Sequence, residues 1–171
     1  MSLFSSGYSV VTTSCRLGAF LVHRDEIELD ADYQRGYVWE EEHQQHLLHS
    51  IFNKQPFPAI AVIENPDPNT YMEIVDGKQR ITTLYLFFDN KIPYKVDDKE
   101  VYWDDMSLTD QRLFKGVSTS MYSLKADNGM PQVTELQKLE FFYSVNFGGV
   151  AQSDEHRDKV ARRILELKEV A

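Results

Sequence analysis

Apolar positions along the chain switch repeatedly between helical and strand spacing, and the switches lay out its elements. Ser14 can cap a short helix carrying Leu17, Phe20 and Leu21, after which Ile27 and Leu29 alternate with acids as in a half-exposed strand. Residues 33–39 are irregular, with Gly36 in their middle. From Glu40 the spacing is helical: Leu47, Leu48, Ile51 and Phe52 form one apolar face, and Glu40, Glu41 and Glu42 occupy the first turn, where the helix dipole favours anions. Pro56 and Pro58 end this helix and lead into 59–63, a continuous apolar run that reads as a buried strand. Residues 65–69 (Asn-Pro-Asp-Pro-Asn) make a turn, and 71–75 return as a second strand that stops at Asp76-Gly77. Residues 80–89 are helical, with Ile81, Leu84, Tyr85 and Phe88 on one side, and 92–96 with 100–103 flank Asp97-Asp98-Lys99 as a hairpin. Beyond Trp103 the pattern is mostly helical. A helix over 107–115 opens with the capping pair Ser107 and Asp110, helices over 133–143 and 153–168 follow, and Asn146-Phe147-Gly148-Gly149 breaks the last two. The expectation is an α+β protein: a mixed core over 1–103 and a helical part over 104–171 packed on it as one compact unit.

Composition bounds the partners. The 171 residues carry 18 Lys+Arg against 27 Asp+Glu, a formal net charge of −9 that opposes loose coating of DNA phosphates. The excess is concentrated, because residues 25–42 hold eight acids and one base, Arg35. The single cysteine, Cys15, cannot form an internal disulfide and reads as a small core residue. The opening residues lack a charged and then apolar leader, and no apolar run approaches the ~18 residues of a membrane helix. A reducing, cytoplasmic setting without membrane contact is expected.

Two clusters carry chemistry. In the first, Ile74-Val75 leads through the tight turn Asp76-Gly77 into a helix that begins Lys78-Gln79-Arg80-Ile81-Thr82-Thr83. The first N–H groups of a helix lack internal partners and carry partial positive charge, so phosphate suits such an end. Arg80 could add a bidentate fork and Lys78 a point charge, while Asp76 could hold a metal ion or orient water. A solvated loop with ordinary surface cations explains the same residues equally well, and the glycine spacing is not that of a Walker loop. The second cluster is Tyr33-Gln34-Arg35-Gly36-Tyr37-Val38-Trp39. Arg35 either pairs with its acidic neighbours or faces an anion, and the second is favoured; Trp39 reads as packing. His43, His46 and His49 lie on one helix without a ligand partner at metal spacing.

Taken together, Tyr33-Gln34-Arg35 with Tyr37 and Trp39, then Leu48-His-Ser-Ile51 with Pro56-Phe-Pro58, then 75–84, resemble the ParB/sulfiredoxin-like superfamily. Within it they are most similar to the domain marked by an Asp-Gly-Gln-Gln-Arg motif, found at the N-terminus of GmrSD-type restriction enzymes and of the defence protein SspE. Residues 141–149, with Glu155 beyond, look like that branch's Phe-x-x-x-Asn-x-Gly-Gly segment, so the resemblance runs over about 14–157. Lys78 stands where the family motif has its first glutamine.

The resemblance implies a small mixed sheet with helices that binds a nucleoside triphosphate, with Mg²⁺, in a setting of DNA or phage defence. The residues matched by position are Asp76, Gly77, Gln79, Arg80, Gln34 and Arg35. Asp76, Gln79 and Arg80 are the expected catalytic group; Gln34, Arg35, Gly77, Lys78, Thr82 and Thr83 are expected to bind the nucleotide. No His-Asn-His pattern is present, so no nuclease domain is expected, and the size suits a version encoded by a phage or mobile element. The expected function is an NTP phosphohydrolase or phosphotransferase. The alternative is a binding module without turnover, for nucleotide, modified DNA or a protein partner, including a decoy or inhibitor.

Overall fold

A computed structural model of the chain describes residues 7–127, 132–147 and 154–170. The elements run β1 (Tyr8–Arg16), α1 (Leu17–Val22), β2 (Ile27–Glu28), α2 (Glu41–Phe52), β3 (Phe57–Asp67), β4 (Thr70–Asp76), α3 (Lys78–Phe88), β5 (Tyr94–Val96), β6 (Lys99–Val101), α4 (Leu108–Gly116), β7 (Ser118–Ala126), α5 (Glu135–Phe147) and α6 (Asp154–Val170). The α+β class matches the sequence reading. Five strands form one mixed sheet in the order β1-β7-β3-β4-β2, and β5 and β6 make a separate hairpin. Strand β3 sits at the centre, parallel to β7 and antiparallel to β4.

The continuous apolar run in β3 has a direct cause: both faces of the sheet are covered. Side chains alternate across a strand, so Ile60 and Val62 join the core beneath α1, α2, α3 and α4, while Ala61 and Ile63 join a second core beneath α5 and α6. All four are at most 1 % exposed. Each fully buried aliphatic side chain contributes about 1.5–3 kcal/mol, so β3 anchors both halves of the molecule. The hairpin turn Asp97-Asp98 takes positive φ at both residues, as a tight two-residue connection requires. Ser107 caps α4 by accepting from the Asp110 N–H at 3.1 Å.

Three local expectations are corrected. Ser14 does not cap α1; it lies in β1 opposite Ser120, and no side-chain cap bond is made at Arg16, which immediately precedes that helix. Strand β1 itself was not expected. Nor is the chain after Trp103 simply helical, because β7 inserts between β1 and β3 as an interior strand. The expected break at Gly148-Gly149 lies outside the described residues. Among those described, no helix is long and apolar enough to cross a membrane.

Candidate functional site

Strand β4 ends at Asp76, and Gly77 turns the chain into α3 with φ +109°, a backbone conformation that side chains rarely adopt. A Cβ there would lie 3.2 Å from Arg80 Nη2 and 3.2 Å from the fully buried Ile60, so any side chain at this positive φ would be strained and tightly packed. No side chain caps the N-terminus of α3, and its first turn contains no acid. Its leading N–H groups therefore keep their partial positive charge available.

The irregular segment 33–39 folds over this turn and is fastened at four points. Tyr33 donates to the buried carboxylate of Glu73. Gln34 Nε2 donates to the carbonyl of Ile74 and, at 3.3 Å, to that of Val75. Gln79 acts as a clamp: its Oε1 accepts from the N–H groups of Val38 (2.8 Å) and Trp39 (3.3 Å), and its Nε2 donates to the Gly36 carbonyl at 3.0 Å. Last, Gln44 donates to the Tyr37 hydroxyl, which donates to Thr83 Oγ1, which donates to the Gln79 carbonyl.

The result is an open cleft of about 170 Å³ between the 33–39 segment and the β4–α3 turn. Gln34 and Arg35 wall it from one side, Asp76, Gly77, Lys78 and Arg80 from the other. Arg80 Nη2 bonds both Asp76 Oδ2 (2.8 Å) and the Ala59 carbonyl (3.0 Å), which fixes the guanidinium; its Nε is buried without a partner. Lys78 Nζ pairs at 2.6 Å with Asp30, whose side chain is 85 % exposed. The acidic window thus reaches into the site. Arg35 is exposed and makes no ion pair among the described residues. Its charge, after burial and Lys159, helps hold the His156 imidazole below its usual pKa.

A buried pair lies behind the cleft. Glu73 Oε2 accepts from Lys138 Nζ of α5 at 3.0 Å, and burial pushes the Glu73 carboxyl above its ordinary value despite that cation. The network links α5 to Tyr33, the residue that begins the fastened segment.

The structure therefore brings together Gln34, Arg35, Asp76, Gly77, Lys78, Gln79 and Arg80. It does not bring in the two threonines. Thr83 is fully buried and spent on Tyr37 and the Gln79 carbonyl, and Thr82 does not line the cleft. Gln79 lines the cleft, and its amide is committed to the loop backbone. Three lining residues, Val75, Trp39 and Asn146, were not assigned from sequence. Trp39, read as packing, both packs on the core and walls the cleft; Asn146, at the end of α5, donates to the Phe142 carbonyl at 3.0 Å and reaches the cleft beside Val75. The Phe-x-x-x-Asn-x-Gly-Gly resemblance was the available signal for Asn146. No cluster of three metal-ligating side chains occurs among the described residues, and Asp76 is the one carboxylate among the described residues that line the cleft.

Residues 20–164 match the family model described as the GmrSD restriction endonuclease, N-terminal domain. No curated protein and no solved structure matches the chain.

Proposed function

The chain belongs to the GmrSD restriction endonuclease N-terminal domain family, and from that premise we propose that its cleft binds the phosphates of a nucleoside triphosphate and hydrolyses or transfers the terminal one. The family's name ties the domain to restriction of DNA, and the proposal places nucleotide turnover in that setting. One observation carries the reading: Arg35, with no ion pair among the described residues, faces an uncapped helix N-terminus across a cleft whose far wall is the fixed Asp76–Arg80 pair.

The chemistry divides among these residues. The α3 amides and Arg80 receive the phosphate oxygens, and Arg35 closes over them from the opposite wall. Lys78 joins them by leaving Asp30, a carboxylate so exposed that the existing pair is worth only about 0–1 kcal/mol. Asp76 Oδ2 is held by Arg80, which leaves Oδ1 to orient a water. Magnesium suits this donor set, since it commonly takes one or two carboxylates and completes its shell with phosphate oxygens and water. Asp76 would be the protein ligand, and the ion would neutralise charge on the phosphates. Gln79 and Gln34 contribute by holding the Arg35 segment in place.

A second reading, binding without turnover, is favoured by the commitment of the Gln79 amide to the loop, which leaves Asp76 alone to manage water. Calorimetry with each NTP and Mg²⁺, run beside a phosphate-release assay, separates the two on the wild type, Arg35→Ala, Asp76→Ala and Arg80→Ala. Turnover is expected in the wild type and absent in Asp76→Ala at near-normal affinity. Arg35→Ala and Arg80→Ala are expected to lose affinity. Binding with no release selects the second reading, and no binding of any nucleotide rejects both.

A further inference from the structure

The phosphate cleft, at about 170 Å³, is smaller than the roughly 300–1,000 Å³ of pockets that enclose whole organic ligands. Its walls do not enclose enough space for a nucleoside beside the phosphates. A second cleft of about 490 Å³ adjoins it, and the two share a wall, because Trp39 and Arg80 line both.

This second cleft lies between α2 and the start of β3. Its apolar surface comes from Trp39, Leu47, Phe57 and Pro58. Trp39 is braced on two sides: His43 stacks on the indole at 5.9 Å between ring centres, and Gln79 accepts from its backbone N–H. Three polar side chains, His46, Ser50 and Gln55, join the lining. The Gln55 carboxamide and the His46 ring make no hydrogen bond among the described residues, and Ser50 spends only its proton, on the His46 carbonyl at 2.9 Å. Flat apolar walls with a few unspent donors and acceptors suit a planar heterocycle with a polar edge.

We propose that this adjoining cleft is the nucleobase subsite of a mononucleotide whose phosphates lie across the Trp39–Arg80 wall. The inference rests on the triphosphate reading and adds to it where the base goes and what selects it. The base packs on the Trp39 and Pro58 side, and Gln55 and His46 hydrogen-bond its edge.

The test compares tripolyphosphate with the nucleoside triphosphates by calorimetry. On the wild type, at least one NTP is expected to bind roughly 5- to 150-fold more tightly than tripolyphosphate, the range that base stacking supplies. Ser50→Phe fills the second cleft and is expected to erase that advantage while leaving tripolyphosphate affinity unchanged. Gln55→Ala and His46→Ala, at exposed positions that are safe for folding, are expected to reduce it several-fold. Equal affinity of every NTP and tripolyphosphate for the wild type overturns the subsite while the phosphate reading stands. An NTP advantage that survives all three variants does the same. Failure of tripolyphosphate and NTP alike rejects the phosphate reading, and the subsite with it.

Discussion

Gln79→Ala tests whether this glutamine positions the site or performs its chemistry. The substitution removes three hydrogen bonds to the 36–39 backbone, two of ordinary length (2.8 and 3.0 Å) and one long (3.3 Å). At about 0.5–1.5 kcal/mol net for each good bond, the segment loses about 1–3 kcal/mol of its hold on α3. Gln34 and the Tyr37–Thr83 link remain, so the segment opens locally while the molecule stays folded. Amide hydrogen exchange at Val38 and Trp39 reads this directly, and a rate increase of about 5- to 150-fold corresponds to that energy. Phosphate affinity should weaken as the closed fraction falls, because a ligand that needs Arg35 in place pays for closing it. Gln79→Glu should be intermediate, since it keeps an acceptor for Val38 but loses the donor to Gly36. Unchanged exchange at Val38 would refute the clamp. Hydrolysis abolished at full affinity and normal exchange would instead put the amide at the reacting centre.

Three further outcomes follow from the geometry. Gly77→Ala forces a Cβ into positive φ and against Ile60 and Arg80, so denaturant unfolding should show a loss of about 1–3 kcal/mol together with weakened phosphate binding. Asp30→Asn frees Lys78 and should tighten tripolyphosphate binding up to about fivefold at low salt, with a smaller gain at high salt in the same calorimetric titration. Burial raises the Glu73 carboxyl above 4.5, so the folded state holds that proton more firmly than the unfolded chain; this contribution is fully present below the unfolded value and is lost as pH rises through the raised one. Unfolding free energies of wild type minus Glu73→Gln should therefore rise as pH falls from neutral toward 4.5, and a difference that falls instead would show the carboxylate to be held ionised by Lys138.

How legible each part was depends on where its partners lie in the chain. Helices α2 and α3, strands β3 and β4, the β5–β6 turn and the Ser107 cap all follow from local spacing and turn chemistry, and all form. Strands β1 and β7 were missed for a compositional reason. The buried positions of β7 include Thr119 and Ser123, so its inward face does not read as apolar, and β1 is largely exposed along its length. The parallel pairing of β7 with β3 joins residues some sixty positions apart, such as Ile60 and Met121, and leaves no local trace. The site divides the same way. The Asp76–Arg80 turn was visible because strand, tight turn and helix start are contiguous. The committed state of Gln79 and Thr83 was not, since their partners in 36–38 lie more than forty residues upstream. The acidic window reads differently once folded: Asp30 and Asp32 pair with Lys78 and Arg163, and Arg35 makes no ion pair among the described residues.

On the proposed function, phosphates sit between Arg35 and the start of α3. A crystal structure with a non-hydrolysable nucleoside triphosphate measures it most directly. Phosphate oxygens should lie within about 3 Å of the leading α3 amides, with the Arg35 guanidinium on their other side. An ordered nucleotide bound elsewhere on the molecule, with Arg35 still facing solvent and the α3 amides unengaged, would contradict it.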